Sequence, residues 1–280
     1  MVRTLAGRGA GSDSVCGIAL VGQKLFVLHY ADRNQIDVYS IPDFAQLDSL
    51  SVPARKLNRL QNSENSDDLW DMTSCAVMKC LYISNKGEQC LHEIDAGGEQ
   101  TGPVKWPVEK RPYGLSLIRA NCHILVSCRE DGYLIELDPR ARTMVQKIHL
   151  PKGCLHPLHA FQLDDGTYLV SHGYDTDSTR RVCKVTRGGK VVRSYGDEKG
   201  GDHDHLDEPC HIAMYRNDVV FVADFNNGRV VMLNPSLRFV RNATRDVKGT
   251  DCFQRLCLDD QSKTLYVGDF NGSVTVIRLK

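Results

Sequence analysis

The chain has 280 residues, a formal net charge of zero, 41% hydrophobic residues and 25% charged residues. This composition is typical of a globular protein, and the balanced charge removes the overall basic surplus that nucleic-acid-binding proteins usually carry. No apolar run approaches the roughly 18 residues of a membrane span, and residues 1–6 (MVRTLA) contain no hydrophobic stretch of a signal peptide.

Strand-length segments separated by Gly, Asn and Asp turns follow one another along the chain, without a sustained helical periodicity. Residues 221–231 (FVADFNNGRVV) recur as 265–275 (LYVGDFNGSVT), and fainter copies precede them. Once the polar insertions at 54–68, 175–179 and 200–205 are set aside, the repeat has a period of about 43 residues. The second strand of each repeat ends at an anchor residue: His29, Asn85, Cys128, His172, Asp224 and Asp269.

A repeat of this length with four short strands is the size of one blade of a β-propeller. Six anchors predict a single all-β domain with six four-stranded antiparallel blades. Residues 1–7 resemble the outer strand of the fourth blade, so we expect them to complete the last blade and close the ring. Because the chain begins and ends within one blade, it would suit a domain excised from a larger protein. The expected blades span 16–54, 69–108, 111–153, 156–200, 207–247 and 253–280.

The eleven cysteines are scattered through these strand-like segments, and none forms a C-x-x-C pair. We therefore expect reduced, buried thiols in an intracellular, cytoplasmic protein rather than a disulfide framework.

The fifth blade contains PCHIA at 209–213 and VADFNNGRV at 222–230. These segments resemble the NHL-repeat pattern, which is roughly P-x-G-I-A followed by V-A-D-x-x-N-x-R-V. The sixth blade keeps VGDFN but has Ser273 in place of the arginine, and the other blades depart further. The single Trp-Asp pair, Trp70-Asp71, is expected before a first strand, so it does not indicate WD40 repeats. The resemblance implies a six-bladed binding module like those at the C-terminal end of larger ubiquitin-ligase or regulatory chains.

In propellers of this topology, the loops that enter first strands and the loops that join second to third strands share one face. We expect a protein partner to bind a monomeric domain on this loop face, because exposed aromatic and arginine side chains favour interfaces. Single-stranded RNA is the alternative ligand, since bases stack on rings and cations bind phosphates. Acidic residues among the cations weaken that alternative. The candidate partner-binding residues are Tyr30, Arg33, Arg111, Tyr113, Arg129, Tyr174, Phe225 and Phe270.

A metal-dependent propeller lyase or hydrolase with a site at the channel mouth is a further alternative. The first strands are expected to begin at Gly17, Gly114, His159, His211 and Arg255, with Ser74 or Cys75 in the second blade. Neutral His159 and His211 near one axis could bind a divalent metal, or they could hydrogen-bond to channel water. No G-x-S-x-G, H-E-x-x-H or P-loop motif occurs, so we expect a binding module without a required cofactor rather than an enzyme.

Three residues of the repeated phrase are expected to support the turns. Asp224 and Asp269 end second strands, where a carboxylate can accept backbone N–H groups of the following turn. Arg229 is expected to pair with such a carboxylate. The His- and Asp-rich segment at 202–205 is expected to be a solvated loop.

Overall fold

The six-bladed all-β propeller predicted from the repeats is confirmed. The strands form six four-stranded antiparallel sheets arranged in a ring. Within the described ranges, the only helical segment is a single 3-10 turn at Lys152–Cys154, and no helix is long and apolar enough to cross a membrane. This computed structural model describes residues 2–5, 14–29, 35–52, 69–97, 104–173, 179–196, 205–216, 218–245, 247 and 252–279.

Consecutive strands pair with one another within each blade, from the innermost strand to the outermost. The first three blades contain β2 (Val15–Val21), β3 (Lys24–His29), β4 (Gln35–Ser40), β5 (Leu50–Ser51), β6 (Leu69–Cys75), β7 (Cys80–Asn85), β8 (Cys90–Asp95), β9 (Val104–Pro107), β10 (Leu115–Ile118), β11 (His123–Cys128), β12 (Tyr133–Asp138) and β13 (Thr143–His149). The last three contain β14 (Pro157–Gln162), β15 (Tyr168–His172), β16 (Arg181–Val185), β17 (Val191–Tyr195), β18 (Pro209–Tyr215), β19 (Val219–Asp224), β20 (Arg229–Leu233), β21 (Phe239–Asn242), β22 (Phe253–Asp259), β23 (Thr264–Asp269) and β24 (Val274–Arg278).

The ring is closed by the N-terminal strand β1 (Val2–Leu5), as the sequence predicts. It pairs antiparallel with β24, and Leu5 lies opposite Val274. Leu5 also packs in the cluster that contains Val274 and Val276. The sixth blade therefore consists of β1 beside three C-terminal strands, which leaves β24 no unpaired edge.

The hydrophobic core is divided among the interfaces between neighbouring blades. One cluster joins Phe26 and Leu28 of the first blade to Leu81 and Ile83 of the second. Another joins the first blade to the sixth through Val27 and Tyr266. Full burial of one such side chain contributes about 1.5–3 kcal/mol, so each blade depends on both of its neighbours.

Deletion of Val2–Leu5 should lower the free energy of unfolding by about 2–5 kcal/mol, because the ladder hydrogen bonds to β24 and the packing of Leu5 are lost. The measurement is urea denaturation. As a control, Leu50→Gly in the two-residue outer strand β5, which is not a closure strand, should cost less than half as much. Equal effects of the two changes would contradict the proposed importance of ring closure.

Candidate functional site

A β-bulge near the start of the first strand turns one side chain of most blades toward the axis. The register shifts between Pro157 and His159, and in the same way before His211 and Arg255. The equivalent shifts in the first and second blades precede Gly17 and Asp71. Bulges redirect side chains in this manner. The axial residue of the second blade is therefore Asp71, and the expectation of Ser74 or Cys75 is wrong because both lie further along β6.

Asp71, His159, His211 and Arg255 form a buried axial cluster. The imidazole rings of His159 and His211 stack with their centroids 3.8 Å apart. Asp71 Oδ2 lies 3.6 Å from His211 Nε2 and accepts a 2.8 Å hydrogen bond from the Leu115 backbone N–H. Asp71 Oδ1 accepts the Met72 N–H at 2.9 Å. The carboxylate thus connects the second blade to the third and the fifth.

Arg255 extends the axial cluster to the remaining blades. Its Nε donates to the Cys16 carbonyl at 2.7 Å and lies 3.5 Å from Asp71 Oδ1. Its two terminal nitrogens donate to the carbonyls of Trp70 at 2.7 Å and Gln254 at 2.8 Å. A guanidinium with several aligned acceptors is well suited to a buried position. Through these contacts Arg255 joins the first, second and sixth blades.

Both nitrogens of the His159 ring already have hydrogen-bond partners. Nε2 lies 3.0 Å from the Leu115 carbonyl and must donate to it, whereas Nδ1 accepts the Ile212 N–H at 3.4 Å. His159 is therefore a neutral imidazole with no remaining lone pair, and it is only 2% exposed. Burial, and then the charge of His211, lower its pKa to about 3.

Asp71 is a charged carboxylate despite its burial. Desolvation alone would raise its pKa, but the charge and hydrogen bond of His211, followed by the charge of Arg255, lower the pKa to about 2. Ligand atoms of Asp71, His159 and His211 lie within 4.8 Å of one another, so the predicted pair of histidines does meet near the axis. The saturated His159 ring and the adjacent guanidinium do not fit a cation. The arrangement fits a structural hydrogen-bonded hub.

Gly114 is the axial residue of the third blade, and its lack of a side chain makes room for the fourth blade. A Cβ atom there would lie 2.3 Å from the Leu158 carbonyl oxygen and 2.8 Å from His159 Cα. Both are backbone atoms that cannot move aside independently. The glycine therefore permits the close approach that positions His159.

Above the axial cluster, four side chains form a surface that we name the mouth strip: Trp70, Lys86, Tyr113 and Arg129. The Trp70 and Tyr113 rings pack with centroids 4.6 Å apart. Lys86 Nζ lies 4.6 Å from the Trp70 ring centroid, and the Arg129 guanidinium lies 5.2 Å from that of Tyr113. Arg129 also donates a 2.8 Å hydrogen bond to the Tyr113 hydroxyl. These are favourable cation–π distances.

The predicted partner-binding residues differ in their accessibility. Tyr113 is only 5% exposed because Trp70 covers it, so the expectation that it is an exposed loop aromatic is wrong. Arg129 is half-buried in the mouth strip, and Phe225 packs edge-on against Phe270 with centroids 6.1 Å apart. Phe270 remains 57% exposed. Tyr30, Arg33, Tyr174 and the segment 202–204 lie outside the described residues.

Charges of both signs surround the mouth strip. Arg111 pairs with Glu130 at 2.9 Å, and Lys110 pairs with Asp131 at 3.4 Å. Arg180 pairs with Asp207. Beside Asp207, burial and the neighbouring carboxylate raise the pKa of Glu208 to about 7, and Arg129 and Arg180 oppose this shift. The face therefore carries mixed charge rather than a continuous row of free cations.

The turn role predicted for Asp269 and the carboxylate partner predicted for Arg229 are confirmed, whereas the backbone N–H that Asp224 accepts comes from a preceding loop and not from the following turn. Asp269 Oδ1 accepts the backbone N–H groups of Asn271 and Ser273, both at 2.9 Å. Asp224 accepts the Asp207 N–H and pairs with Arg229 at 2.6 Å. Asp269 holds its own turn, Asp224 joins the loop before β18 to Asn227 and Arg229, and neither carboxylate is free to bind a ligand.

Sequence reasoning missed Asp71, Trp70 and Lys86. Trp70 and Asp71 lie within β6 rather than before it. Counting back from the anchor residue at the end of the second strand would have found Asp71. His159 lies 13 residues before its anchor His172, and Asp71 lies 14 residues before its anchor Asn85. The contact of Lys86 with both mouth-strip rings has no counterpart in the sequence pattern.

No protein-family model matches the sequence, and no curated protein matches it. Solved structures do resemble it. Virginiamycin B lyase from Staphylococcus aureus has a TM-score of 0.67 at 10% identity, covering 100% of this chain and 99% of that chain. A catalytically inactive histidine-to-alanine variant of that lyase, solved with quinupristin, has a TM-score of 0.66 at 10% identity and covers 100% of both chains.

A second kind of enzyme has the same architecture. Hydrazine synthase from Kuenenia stuttgartiensis has a TM-score of 0.65 at 13% identity, covering 95% of this chain and 96% of that chain. At such low identities the likeness shows a shared six-bladed propeller fold and nothing about the activity of this chain.

Through His159, the free energy of unfolding should fall as the pH drops from about 6.5 toward 3, while the raised pKa of Glu208 acts in the opposite direction between about pH 7 and 4.5. The pKa of His159 is lowered on folding, so in this window the unfolded chain binds a proton that the folded chain does not. One such proton changes stability by about 1.4 kcal/mol per pH unit. The pKa of Asp71 is lowered on folding from 3.8 to about 2, so Asp71 adds a further loss of stability only at the acidic end of this pH range.

Urea denaturation between pH 7 and pH 4 measures this slope. His159→Gln, whose amide can still donate to the Leu115 carbonyl, should show a shallower pH dependence than the wild type. His149→Gln, at an exposed position, is the control and should leave the slope unchanged. A His159→Gln slope equal to that of the wild type would show that His159 does not stay neutral in the folded protein.

Proposed function

We propose that this chain is a non-enzymatic, NHL-type binding module that recognises a protein partner through its loop face. The observation that carries this proposal is the mouth strip, in which Lys86 and Arg129 flank the packed rings of Trp70 and Tyr113. The propeller contributes a rigid ring, and the side chains of its loop face supply the specificity.

The mouth strip has the properties of an interface hot spot. Tryptophan, tyrosine and arginine are enriched at such positions, and they act best on a rigid support that orders them before binding. Here Trp70 rests on buried Tyr113, and the Arg255 guanidinium lies 5.5 Å from the Trp70 ring centroid. The axial hub therefore holds the aromatic pair from below, while the half-buried Trp70 and Lys86 remain available from above.

The charges around the strip favour a protein over single-stranded RNA. RNA binding without sequence preference needs a positive groove that follows the backbone. On this face, Lys110, Arg111 and Arg180 are each paired with a carboxylate. A protein segment with an acidic side chain beside an aromatic or apolar one suits the flanking cations and the half-buried indole of Trp70, and Phe225 with Phe270 supplies a second apolar contact.

The binding prediction is tested by selecting a phage-displayed random peptide library on the immobilised full chain. We expect acidic-aromatic peptides, and Trp70→Ala should weaken a selected peptide by about 2 kcal/mol or more because a central aromatic anchor is removed. Lys86→Glu should weaken it too, without disturbing the ring pair. Val192→Ser, on the outer strand β17, is the control and should leave the affinity unchanged.

Titration of the protein with a fluorescent single-stranded RNA tests the alternative ligand. Selected peptides that bind Trp70→Ala and Lys86→Glu as tightly as the wild type would contradict the mouth strip as the binding site. Salt-sensitive RNA binding that is lost in Arg111→Ala with Arg129→Ala, together with failure of the peptide selection, would replace the protein partner with RNA.

A propeller lyase or hydrolase is the second candidate function. The lyase structures that share the fold and the convergence of Asp71, His159 and His211 favour it. The saturated His159 ring and the burial of His211, which is 7% exposed, oppose it because neither ring can reach a substrate as a proton carrier.

Incubation of the protein with quinupristin and a divalent metal ion should leave the compound intact, as measured by chromatography and mass spectrometry. The physical reason is that both His159 nitrogens and the Asp71 carboxylate are occupied by structural contacts, and that His211 is buried. Turnover that disappears in His211→Ala and persists in Trp70→Ala would favour the enzyme and contradict the binding module.

A further inference from the structure

We propose that Glu88, Cys90 and His92 form a zinc-binding site in the second blade, at the turn between β7 and β8. This site is separate from the axial hub and does not depend on the proposed binding function. Carboxylate, thiolate and imidazole are all established ligands of zinc, and three protein ligands leave room for a fourth from the solvent side.

The three ligand atoms form a compact triangle. Cys90 Sγ lies 3.7 Å from His92 Nε2 and 3.8 Å from Glu88 Oε2, and His92 Nε2 lies 3.4 Å from Glu88 Oε2. A tetrahedral zinc ion with ligand distances of about 2.0–2.3 Å separates its ligand atoms by roughly 3.3–3.6 Å. The observed separations therefore need changes of only a few tenths of an ångström to accept the ion.

The local structure explains why these side chains converge. Cys90 and His92 are two residues apart on β8, so they point to the same side of the sheet. Glu88 lies in the preceding turn, where Gln89 has a positive φ of 48° that turns the chain into the strand. Cys90 and His92 are fully buried, and the Glu88 side chain is 8% exposed.

The hydrogen-bond pattern around Asn85 shows where the lone pairs of two of these ligands are directed. The Glu88 backbone N–H donates to Asn85 Oδ1 at 2.9 Å, which fixes the orientation of the amide. Asn85 Nδ2 then lies 3.3 Å from His92 Nε2 and 3.2 Å from Glu88 Oε2, so both atoms act as acceptors. These two acceptors lie 3.4 Å apart and share one neutral donor, the Asn85 amide, at the position where a cation could bind both of them.

The described residues contain two other groups of possible ligands, and an arginine opposes a cation at each. In the group of Cys154, His172 and Cys183, the donor to His172 Nε2 is the positively charged guanidinium of Arg181, at 3.3 Å, whereas the donor to His92 Nε2 is the neutral Asn85 amide. In the axial hub, Arg255 contacts Asp71. Beside Glu88 the nearby cation is Lys105, which is half exposed and contacts the far oxygen Oε1 at 3.0 Å. Oε2 is left facing the pocket.

Zinc at this position would brace the turn that carries Lys86. Lys86 follows Asn85 directly and lies over both rings of the mouth strip. The ion would join the turn to β8 through three ligands, so the position of this flanking lysine would depend on metal. The Asn85 amide N–H groups must move aside when the ion binds, since they donate toward its ligands.

The test uses the full chain, stripped of metal with a chelator under reducing conditions and titrated with Zn²⁺ against a chromophoric competitor. We expect one tight equivalent that is lost at least about 100-fold in Cys90→Ser and in His92→Asn, because even outer-shell changes cost about 10–100-fold. Cys183→Ser, in the blade-four group, is the matched control and should keep wild-type affinity. Co²⁺ should give the spectrum of a tetrahedral site with a thiolate charge-transfer band.

Asn85→Asp separates a metal site from a merely structural cluster. A carboxylate at this position can still accept the Glu88 N–H and offers a second oxygen to the ion, so zinc affinity should rise at least tenfold. Without metal the same change crowds two carboxylates and should lower the melting temperature, which zinc should restore. This readout does not rely on the Cys90 and His92 variants folding normally.

Several results would overturn the proposal. They are no zinc binding by the wild type, unchanged binding in Cys90→Ser and His92→Asn, loss of binding in folded Cys183→Ser, a Co²⁺ spectrum without thiolate character, or an Asn85→Asp protein that zinc does not stabilise.

Discussion

The charged carboxylate of Asp71, buried at the axis, is the constraint on which the rest of the ring depends. A buried ion is costly unless partners surround it, and removing one partner of a buried pair costs about 3–5 kcal/mol. Here the partners come from different blades: Leu115 from the third, His211 from the fifth and Arg255 from the sixth. Arg255 in turn needs the Cys16 carbonyl of the first blade. The hub is therefore complete only when the ring is closed, which couples axial electrostatics to the pairing of β1 with β24.

Because His159 and Arg255 already use their hydrogen-bonding groups within the axial hub, we expect the functional site to lie away from the axis. His159 has both nitrogens occupied, and Arg255 uses its donors on backbone carbonyls. A propeller can hold a catalytic site in one protein and a structural hub in another, because fold and chemistry vary independently. In this chain the axial hub supports Trp70 from below, and Trp70, Lys86 and Arg129 of the mouth strip are half-buried rather than buried.

A second recurring position lies where each second strand ends and the third begins. Different blades fill it with different chemistry: His29 with Asp37, His172 with Cys183, and Asp224 with Arg229. In the second blade it holds Asn85 with the proposed zinc ligands. In each case a polar side chain at the end of the second strand contacts a side chain on the third strand, so blades of one topology hold different polar pairs at this position.

The sequence by itself determined the period, the number of blades, the closure by the N-terminal strand, the turn role of Asp269 and the carboxylate partner of Arg229. These features follow from local alternation and turn chemistry, which are written along the chain. It also predicted that His159 and His211 would meet near the axis. Only the tertiary structure decided that Asp71 joins them, because a β-bulge changes which residue of a strand faces inward. The covering of Tyr113 by Trp70 and the convergence of Glu88 with Cys90 and His92 likewise depend on how turns and blades pack in three dimensions.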